Sequence, residues 1–560
     1  MRLVGRLGRL VPGPASTDPE LERALSYLGA DADADAVVRA GRGAGVLVAC
    51  LGVPALAVAP TGLQPLVAAA LLAVAVGAAR CVRRAPIALA TARRTAAMGA
   101  APALVARLVL RMRVEPASER AASFAATAEG PLAASLRDHV RRAAGTPGSG
   151  LAAFGATWAD RNPPLRRAVL LVEAAADAPA SERARSLDRA MTAILDGTRD
   201  RMASFADDAR APTTGVYAFG VLLPLALVAV LPAARVAGVP VSIPALAVVY
   251  DLLLPGLLVG AGAWLVVRRP AAFPPPDVAR SHPDVPERRW PVVAASAAAG
   301  LVGLAVTTPL AAWTRWPATL GIAVGAALVV RFRPVTLVRN DARRVERHLT
   351  DALYLVGRRV SDGAAVESAI ADAAPEVAGR TGETLATAAG VQRRLRVGVR
   401  TAFLGEHGAL ADVPSPQARS VAALLALAAR EGRPAGRAIV SMADHVEDLQ
   451  RVEREARREL ARVTGTLRNT AAVFGPLVGG ATVALADGMA ASALGEPFPT
   501  GALGVVVSTY VLALAAVLTA LATALERGFD RALVGYRVGL ALLAAVGSFL
   551  AGFVGAGLAA

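Results

Sequence analysis

The sequence predicts an all-α fold: a polytopic helical membrane protein with about nine transmembrane helices and two tandem cytosolic helical-bundle domains. Three observations carry that expectation. The 560-residue chain is 55% hydrophobic and only 19% charged, with a mean hydropathy of +0.48, far to the apolar side of soluble domains. Apolar runs near the ~17–25 residues needed to cross a bilayer recur in pairs. Arginine is concentrated in alternate polar segments, as the positive-inside rule requires. Aromatic residues make up 4% of the chain, so alanine, leucine, valine and glycine supply the apolar mass.

Residues 1–43 read as a polar cytosolic segment. The opening MRLVGRLGRLVPGPASTDPE has no apolar core of signal-peptide length behind it, so the first true span is expected to act as signal anchor. The first membrane hairpin, 44–79, has apolar runs at 45–59 and 63–79 around Pro60-Thr61-Gly62. Pro54 interrupts the first run, and a shallow re-entrant pair is the alternative. Residues 80–211 form the first cytosolic block, with helices expected at 103–113, 117–128, 165–176 and 181–209 and a glycine-rich loop at 145–150. The second hairpin, 212–267, carries spans at 214–231 and 243–267.

The proline- and arginine-rich stretch 268–290 reads as a linker between halves. A third hairpin, 291–330, has spans at 291–312 and 318–330. In the second cytosolic block, 331–469, helices are expected at 341–359, at 364–373 beyond Ser361-Asp362-Gly363, at 417–430, and in a long, densely charged run from 435 to 468. The fourth hairpin, 470–525, has spans at 471–489 and 503–525. A basic loop, 526–537, and a last span at 538–557 make up residues 526–560.

All but two of the 60 basic residues fall in segments that this topology places inside; the exceptions are Arg235 and Arg315. The N-terminus and both large blocks are therefore expected in the cytosol, and the C-terminus outside. The outside loops are short, which argues against a receptor or an adhesin. Every basic residue is arginine. Without a lysine there is no Walker A motif, so the chain is no ordinary P-loop ATPase. Cys50, Cys81 and five scattered histidines form no disulfide or metal-ligand spacing, so neither a cofactor nor a metal is expected.

The two halves follow one plan: span pair, soluble block, span pair. Leu110-Arg111-Met112-Arg113-Val114 with 117–126 matches Gly357-Arg358-Arg359-Val360 with 364–373. RRAVLLVEA at 166–174 matches 419–428, and Leu222-Leu223-Pro224 falls where Phe474-Gly475-Pro476 falls. Each unit has an even number of spans, so the copies are parallel repeats.

On these residues the chain resembles type II secretion system F-domain proteins, and more closely the archaeal, Tad-like branch that serves as platform for type IV pili and archaella. The likeness lies in LTDALYLVGRRVSDGAAVESAIADA at 349–373, in Ala428-Ala429-Arg430-Glu431-Gly432 ahead of the long charged helix, and in Phe474-Gly475-Pro476. It covers roughly residues 45–525, strongly in the second half and weakly in the first. The resemblance implies a non-enzymatic membrane platform at the base of a filament. Such a platform docks a cytosolic hexameric secretion ATPase, handles pilin-like subunits in the lipid bilayer, and suits a homodimer. Nucleic acid is not expected as a partner. The alternative is a secondary transporter built from parallel repeats. A membrane-bound enzyme ranks last.

The expected ATPase contact is the run QRRLRVGVR, with Arg393, Arg394, Arg396 and Arg400, because guanidinium forks bind carboxylates well. Its bland counterpart is a positive-inside surface that meets lipid headgroups or water. Arg107, Arg111 and Arg113 are expected to do the same in the first block. Arg527, Arg531 and Arg537 read most simply as topology determinants. Glu453 to Glu459 mixes signs at i,i+4 spacing and reads as support for a solvated helix. His445 beside Asp444, with Glu447 and Asp448, has the wrong directions for a metal site. Asp251 is the one strong intramembrane carboxylate; Asp487 can reach the interface.

Overall fold

The structure, a computed structural model, describes residues 18–29, 33–58, 64–128, 130–236, 242–270, 278, 282–286, 288, 290–431, 435–492 and 499–559. Among them every regular element is helical. Among the described residues eight helices are long and apolar enough to cross a membrane, which makes this a multi-pass helical membrane protein.

In the first half, α1 (Pro19–Leu28) precedes the antiparallel pair α2 (Ala34–Val58) and α3 (Gln64–Gly99). The helical block follows: α4 (Ala101–Val114), α5 (Ser118–Ala125), α6 (Pro131–Ala143), α7 (Gly150–Thr157), α8 (Pro163–Ala174) and the long α9 (Ala180–Tyr217). After a π-helical turn at Ala218–Leu222 come α10 (Leu223–Val236), α11 (Ile243–Ala247), a second π-turn at Val248–Leu253 and α12 (Leu254–Arg268).

The second half opens with α13 (Trp290–Thr307) and α14 (Arg315–Glu346), packed as a pair. Its block runs α15 (Leu349–Ser361), α16 (Val366–Ala373), α17 (Gly379–Leu395), α18 (Val399–Leu404), α19 (Pro416–Glu431) and the long α20 (Ala435–Asn469). A third π-turn, Thr470–Phe474, leads into α21 (Gly475–Ser492), α22 (Thr500–Arg527) and the last helix, α23 (Arg531–Ala559).

The internal repeat holds to the residue over long stretches. α4, α5 and α6 start at Ala101, Ser118 and Pro131; α15, α16 and α17 start at Leu349, Val366 and Gly379, each 248 positions later. The π-turns at Ala218–Leu222 and Thr470–Phe474 lie 252 positions apart. Corresponding helices are capped alike. The buried Asn162 accepts from the Leu165 N–H (3.2 Å) to start α8, and the buried Ser415 accepts from the Ala418 N–H (3.0 Å) to start α19. Prolines at the first position of both helices complete the signal.

Each block has its own apolar core. In the first, Leu108, Met112, Leu136, Phe154, Leu165 and Met191 are buried. In the second, Leu353, Val356, Ile370 and Phe403 are. Leu110 of α4 is buried in the second core and Val452 of α20 in the first, so the blocks interlock. A third core joins the two long helices to the membrane helices and includes Phe205, Val221, Tyr250, Tyr510 and Leu518.

The rods Ala180–Leu231 and Gly436–Gly488, of 52 and 53 residues, each pass from block to membrane without a chain break. At a rise of ~1.5 Å per residue each is roughly 80 Å long.

The structure corrects one expectation and bears on two more. Of the nine expected spans, eight coincide with helices long and apolar enough to cross a membrane, and the other, 63–79, falls at the start of α3, with residues 59–63 outside the described residues. The single helix expected at 341–359 is two, α14 and α15, separated at Arg347-His348. The Gln450 side chain caps the Glu346 carbonyl (3.0 Å) and the Thr381 hydroxyl takes that of Val345 (2.7 Å), so tertiary donors satisfy the break. The expected linker 268–290 lies mostly outside the described residues, but Arg268 ends α12 and Arg269 is buried against α22, so its first residues are structural.

Candidate functional site

Arg393 and Arg394 occupy the last turn of α17, Arg396 is its C-cap, and Arg400 lies in α18. Arg396 adopts φ 52, a left-handed conformation that costs a non-glycine residue roughly 1–2 kcal/mol. The turn it makes sets α18 off from α17 and leaves all four guanidinium groups exposed. None of the four has a hydrogen bond or ion pair among the described residues. Beside them lies a groove of about 480 Å³ lined by Pro375, Gly382, Glu383, Ala386, Ala389 and Arg393. Gly382 is needed there: a Cβ on it would sit 2.0 Å from the Val377 carbonyl oxygen. Four unspent cations next to a small-residue groove form a surface suited to an acidic protein face.

The other three expected contact residues are placed differently. Arg107 donates to the Ser420 hydroxyl (2.8 Å) and lies 6.0 Å from the Phe124 ring, which ties the first block to α19 of the second. Arg111 pairs with Glu115 one turn on, and Arg113 with Asp188 of α9. All three are half-buried, engaged by the chain itself. His445 is buried behind them. Among the described residues no group of three His, Cys, Asp or Glu side chains is placed to hold a metal ion.

A second polar centre lies where the long helices meet the membrane helices, and the sequence reading missed it. Glu526, at the end of α22, accepts from Thr464 of α20 (2.9 Å) and pairs with Arg468 (3.4 Å) and with Arg537 of α23 (2.8 Å). Arg269, just past α12, donates to the Leu525 carbonyl (2.6 Å). Burial, reinforced by Arg457, pulls the Arg269 guanidinium down to about 10, which leaves it charged at neutral pH. Arg339 of α14 pairs with the buried Asp530. Arg457 pairs with Glu453 and lies in electrostatic reach of Arg269, Arg343 and Arg527. Part of the mixed-sign run 453–459 therefore faces this junction and is not a solvated face, and Arg537 is a junction residue besides counting toward topology. Arg269 meets Leu525 256 positions away and Arg339 meets Asp530 191 positions away, so no local signal could have announced the junction.

The π-turns share one cause. Each ends two residues before a proline: Leu222 before Pro224, Leu253 before Pro255, Phe474 before Pro476. Proline has no N–H for the carbonyl four residues back and its ring crowds that oxygen, so the helix widens. At Pro224 the freed acceptor, Gly220 O, receives the Tyr510 hydroxyl (2.5 Å), and Pro224 O receives the Tyr250 hydroxyl (2.7 Å). The two tyrosine rings meet edge to face at 5.2 Å and both are fully buried. Asp251 lies in the second π-turn, where its Oδ1 is buried with no hydrogen-bond partner among the described residues. Asp487 accepts from the Thr500 hydroxyl (2.7 Å) across the α21–α22 connection.

Comparison with family models, with curated proteins and with solved structures finds no match to this chain.

Proposed function

We propose that this protein is the membrane platform of a type IV pilus-like, type II secretion-related filament machine. It couples a cytosolic hexameric secretion ATPase to the movement of pilin-like subunits from the bilayer into the filament. The observation that carries the reading is the duplicated unit: a six-helix block that runs through one long charged helix and a proline-marked π-turn directly into a membrane hairpin. Such a unit joins a docking surface to the bilayer by a rod of helix, which is what transmission of an ATPase stroke requires. The exposed arginines of α17 and α18 supply the ATPase contact, with both blocks in the cytosol by the arginine distribution. The platform itself carries out no hydrolysis.

The test is a detergent pull-down of tagged protein from its native membranes, with co-purifying chains identified by mass spectrometry. Recovery of a secretion ATPase, lost on changing Arg393, Arg394, Arg396 and Arg400 to glutamate, supports function and site together. An ATPase that still binds the variant keeps the function and removes the site. One observation favours the transporter reading: the unpartnered Asp251 oxygen inside a membrane helix. Solute flux in proteoliposomes without any partner, abolished by Asp251→Asn, would establish that reading instead.

A further inference from the structure

Between α9 and α20, where both helices approach the membrane, lies a pocket of about 330 Å³ lined by Arg210, Thr213, Thr214, Tyr217, Arg462, Val463, Thr466 and Leu467. Two residues on each wall are repeat equivalents. Arg210 and Arg462 lie 252 positions apart, the register of the π-turns, and so do Thr214 and Thr466. The acids beside the arginines keep the same register: Asp207 pairs with Arg210 at 3.5 Å and Glu459 with Arg462 at 2.8 Å, each one helical turn back. Around them the aligned sequences diverge freely; Ala211, Gly215 and Tyr217 face Val463, Leu467 and Asn469 at the equivalent positions.

We propose that this pocket binds an anionic phospholipid, its phosphodiester held between the two guanidinium groups. Two guanidinium groups at one cavity offer charge-assisted donors to an anion, and each arginine has five N–H donors, of which its own acid occupies few. Arg210 and Arg462 are 62% and 72% exposed, so they reach the cavity mouth without a burial cost. The pocket is also graded along the helix axis. Its arginine end lies toward the blocks, and at ~1.5 Å per residue Leu467 lies about 7 Å beyond Arg462 and Tyr217 about 10 Å beyond Arg210, forming its apolar end. The apolar helices begin there, so an acyl chain continues into the bilayer while a free phosphate leaves that end unfilled. The volume falls at the lower end of the ~300–1,000 Å³ of small-ligand sites. Basic pockets between helices at the membrane boundary are an established mode of headgroup recognition. A lipid seated here bridges the two repeats at the foot of both rods.

The test uses the full-length protein, delipidated in a neutral detergent, with thermal unfolding followed as lipid is added. Phosphatidylglycerol is expected to raise the melting temperature, and phosphatidylcholine and soluble glycerol phosphate are not. Arg210→Gln and Arg462→Gln are each expected to weaken the phosphatidylglycerol midpoint about tenfold, near equally, since each removes one charge-assisted contact. Arg167→Gln on the exposed face of α8, which removes one charge at a distance, should leave the midpoint unchanged. Native mass spectrometry of the same variants reads retained lipid directly if melting is not reversible. Equal stabilisation by phosphatidylcholine, by glycerol phosphate alone, or an equal loss in the Arg167→Gln variant overturns the proposal.

Discussion

Tyr510→Phe isolates one hydroxyl and tests the account of the π-turn. The ring stays, so its edge-to-face contact with Tyr250 is kept and only the 2.5 Å bond to Gly220 O is lost. That carbonyl is already deprived of its helical donor by Pro224, and it lies in a buried segment. An unsatisfied buried acceptor costs about 1–3 kcal/mol, and polar ties inside membranes average ~0.6 with a maximum near ~1.7 kcal/mol. We therefore expect Tyr510→Phe to destabilise by about 1.5 kcal/mol, the upper part of the membrane range, because no water reaches the site. In a Pro224→Ala background the restored N–H at 224 can take Gly220 O by the ordinary i→i−4 bond. The same Tyr510→Phe change should then cost under ~0.5 kcal/mol, which gives a coupling energy of about 1 kcal/mol. Reversible unfolding in mixed dodecylmaltoside and SDS micelles, read by circular dichroism, supplies all four corners of the cycle. Equal costs in both backgrounds would refute the link between proline, π-turn and tyrosine.

Further substitutions probe the packing of the second repeat. Asp530→Asn removes the charge that faces Arg339, whose side chain is 12% exposed against 3% for the aspartate, while an amide oxygen can still cap the Ala532 N–H. Breaking one partner of a buried pair costs about 3–5 kcal/mol, and Arg339→Gln in the same chain should recover part of it; an additive double variant would show that the two do not interact. Gly480→Ala places a Cβ 2.0 Å from the Phe549 carbonyl oxygen, which pries α21 from α23 and should cost about 1–3 kcal/mol. Gly547→Ala on α23 meets nothing within 4 Å and should change stability by less than ~0.5 kcal/mol. Similar melting shifts for the two glycine variants would count against the close helix approach.

The long helix of the second block was legible because charge and apolar phase hold over its whole length: expected from 435 to 468, it runs from Ala435 to Asn469. Its counterpart in the first block was legible for the same reason, although α9 continues past the expected 209 to Tyr217. Periodicity alone passes over the short helices α6 and α7, although other signals mark them: Pro131 after Gly130 opens α6, and Ser149 caps α7 through the Ala152 N–H. The break between α14 and α15 had no local signal, since Arg347 and His348 are ordinary helix residues and the carbonyls they strand are capped by Gln450 and Thr381 from far along the chain. At the sites the division is similar. A cluster such as Arg393 to Arg400 declares itself by density. The Asp207/Arg210 and Glu459/Arg462 pairs were hidden in alanine-rich helices until the π-turns fixed the register between repeats. Arg107, Arg111 and Arg113 looked like a basic face, but which arginines are spent inside depends on Ser420 and Asp188, and only the fold brings those near.

The repeats are alike in plan and unequal in their surroundings, and that inequality bears on how the proposed machine works. In the second repeat, α23 wedges against α14, α21 and α22. Gly325 and Gly539 meet backbone to backbone, as do Gly480 with Phe549 and Gly552 with Leu477, so these helices approach too closely for any side chain to intervene. The apolar window of Thr500–Arg527 is 61% buried inside the protein. In the first repeat, the window of Ile243–Arg268 is only 11% buried, and Phe219, Leu223, Leu227, Val230 and Leu257 face outward. One rod thus ends in a clamped bundle and the other in a hairpin open to lipid along much of its length. The open hairpin is held to the clamped side mainly by α12 and α10 packing on α22 and α21, by Arg269 at one end, and by Tyr510, whose hydroxyl reaches Gly220 O and whose ring meets Tyr250. A displacement delivered equally to both rods would leave the second repeat in place and move the first about these ties. On the proposed function, the clamped repeat is the stator and the lipid-facing hairpin is the part that meets a membrane-embedded subunit.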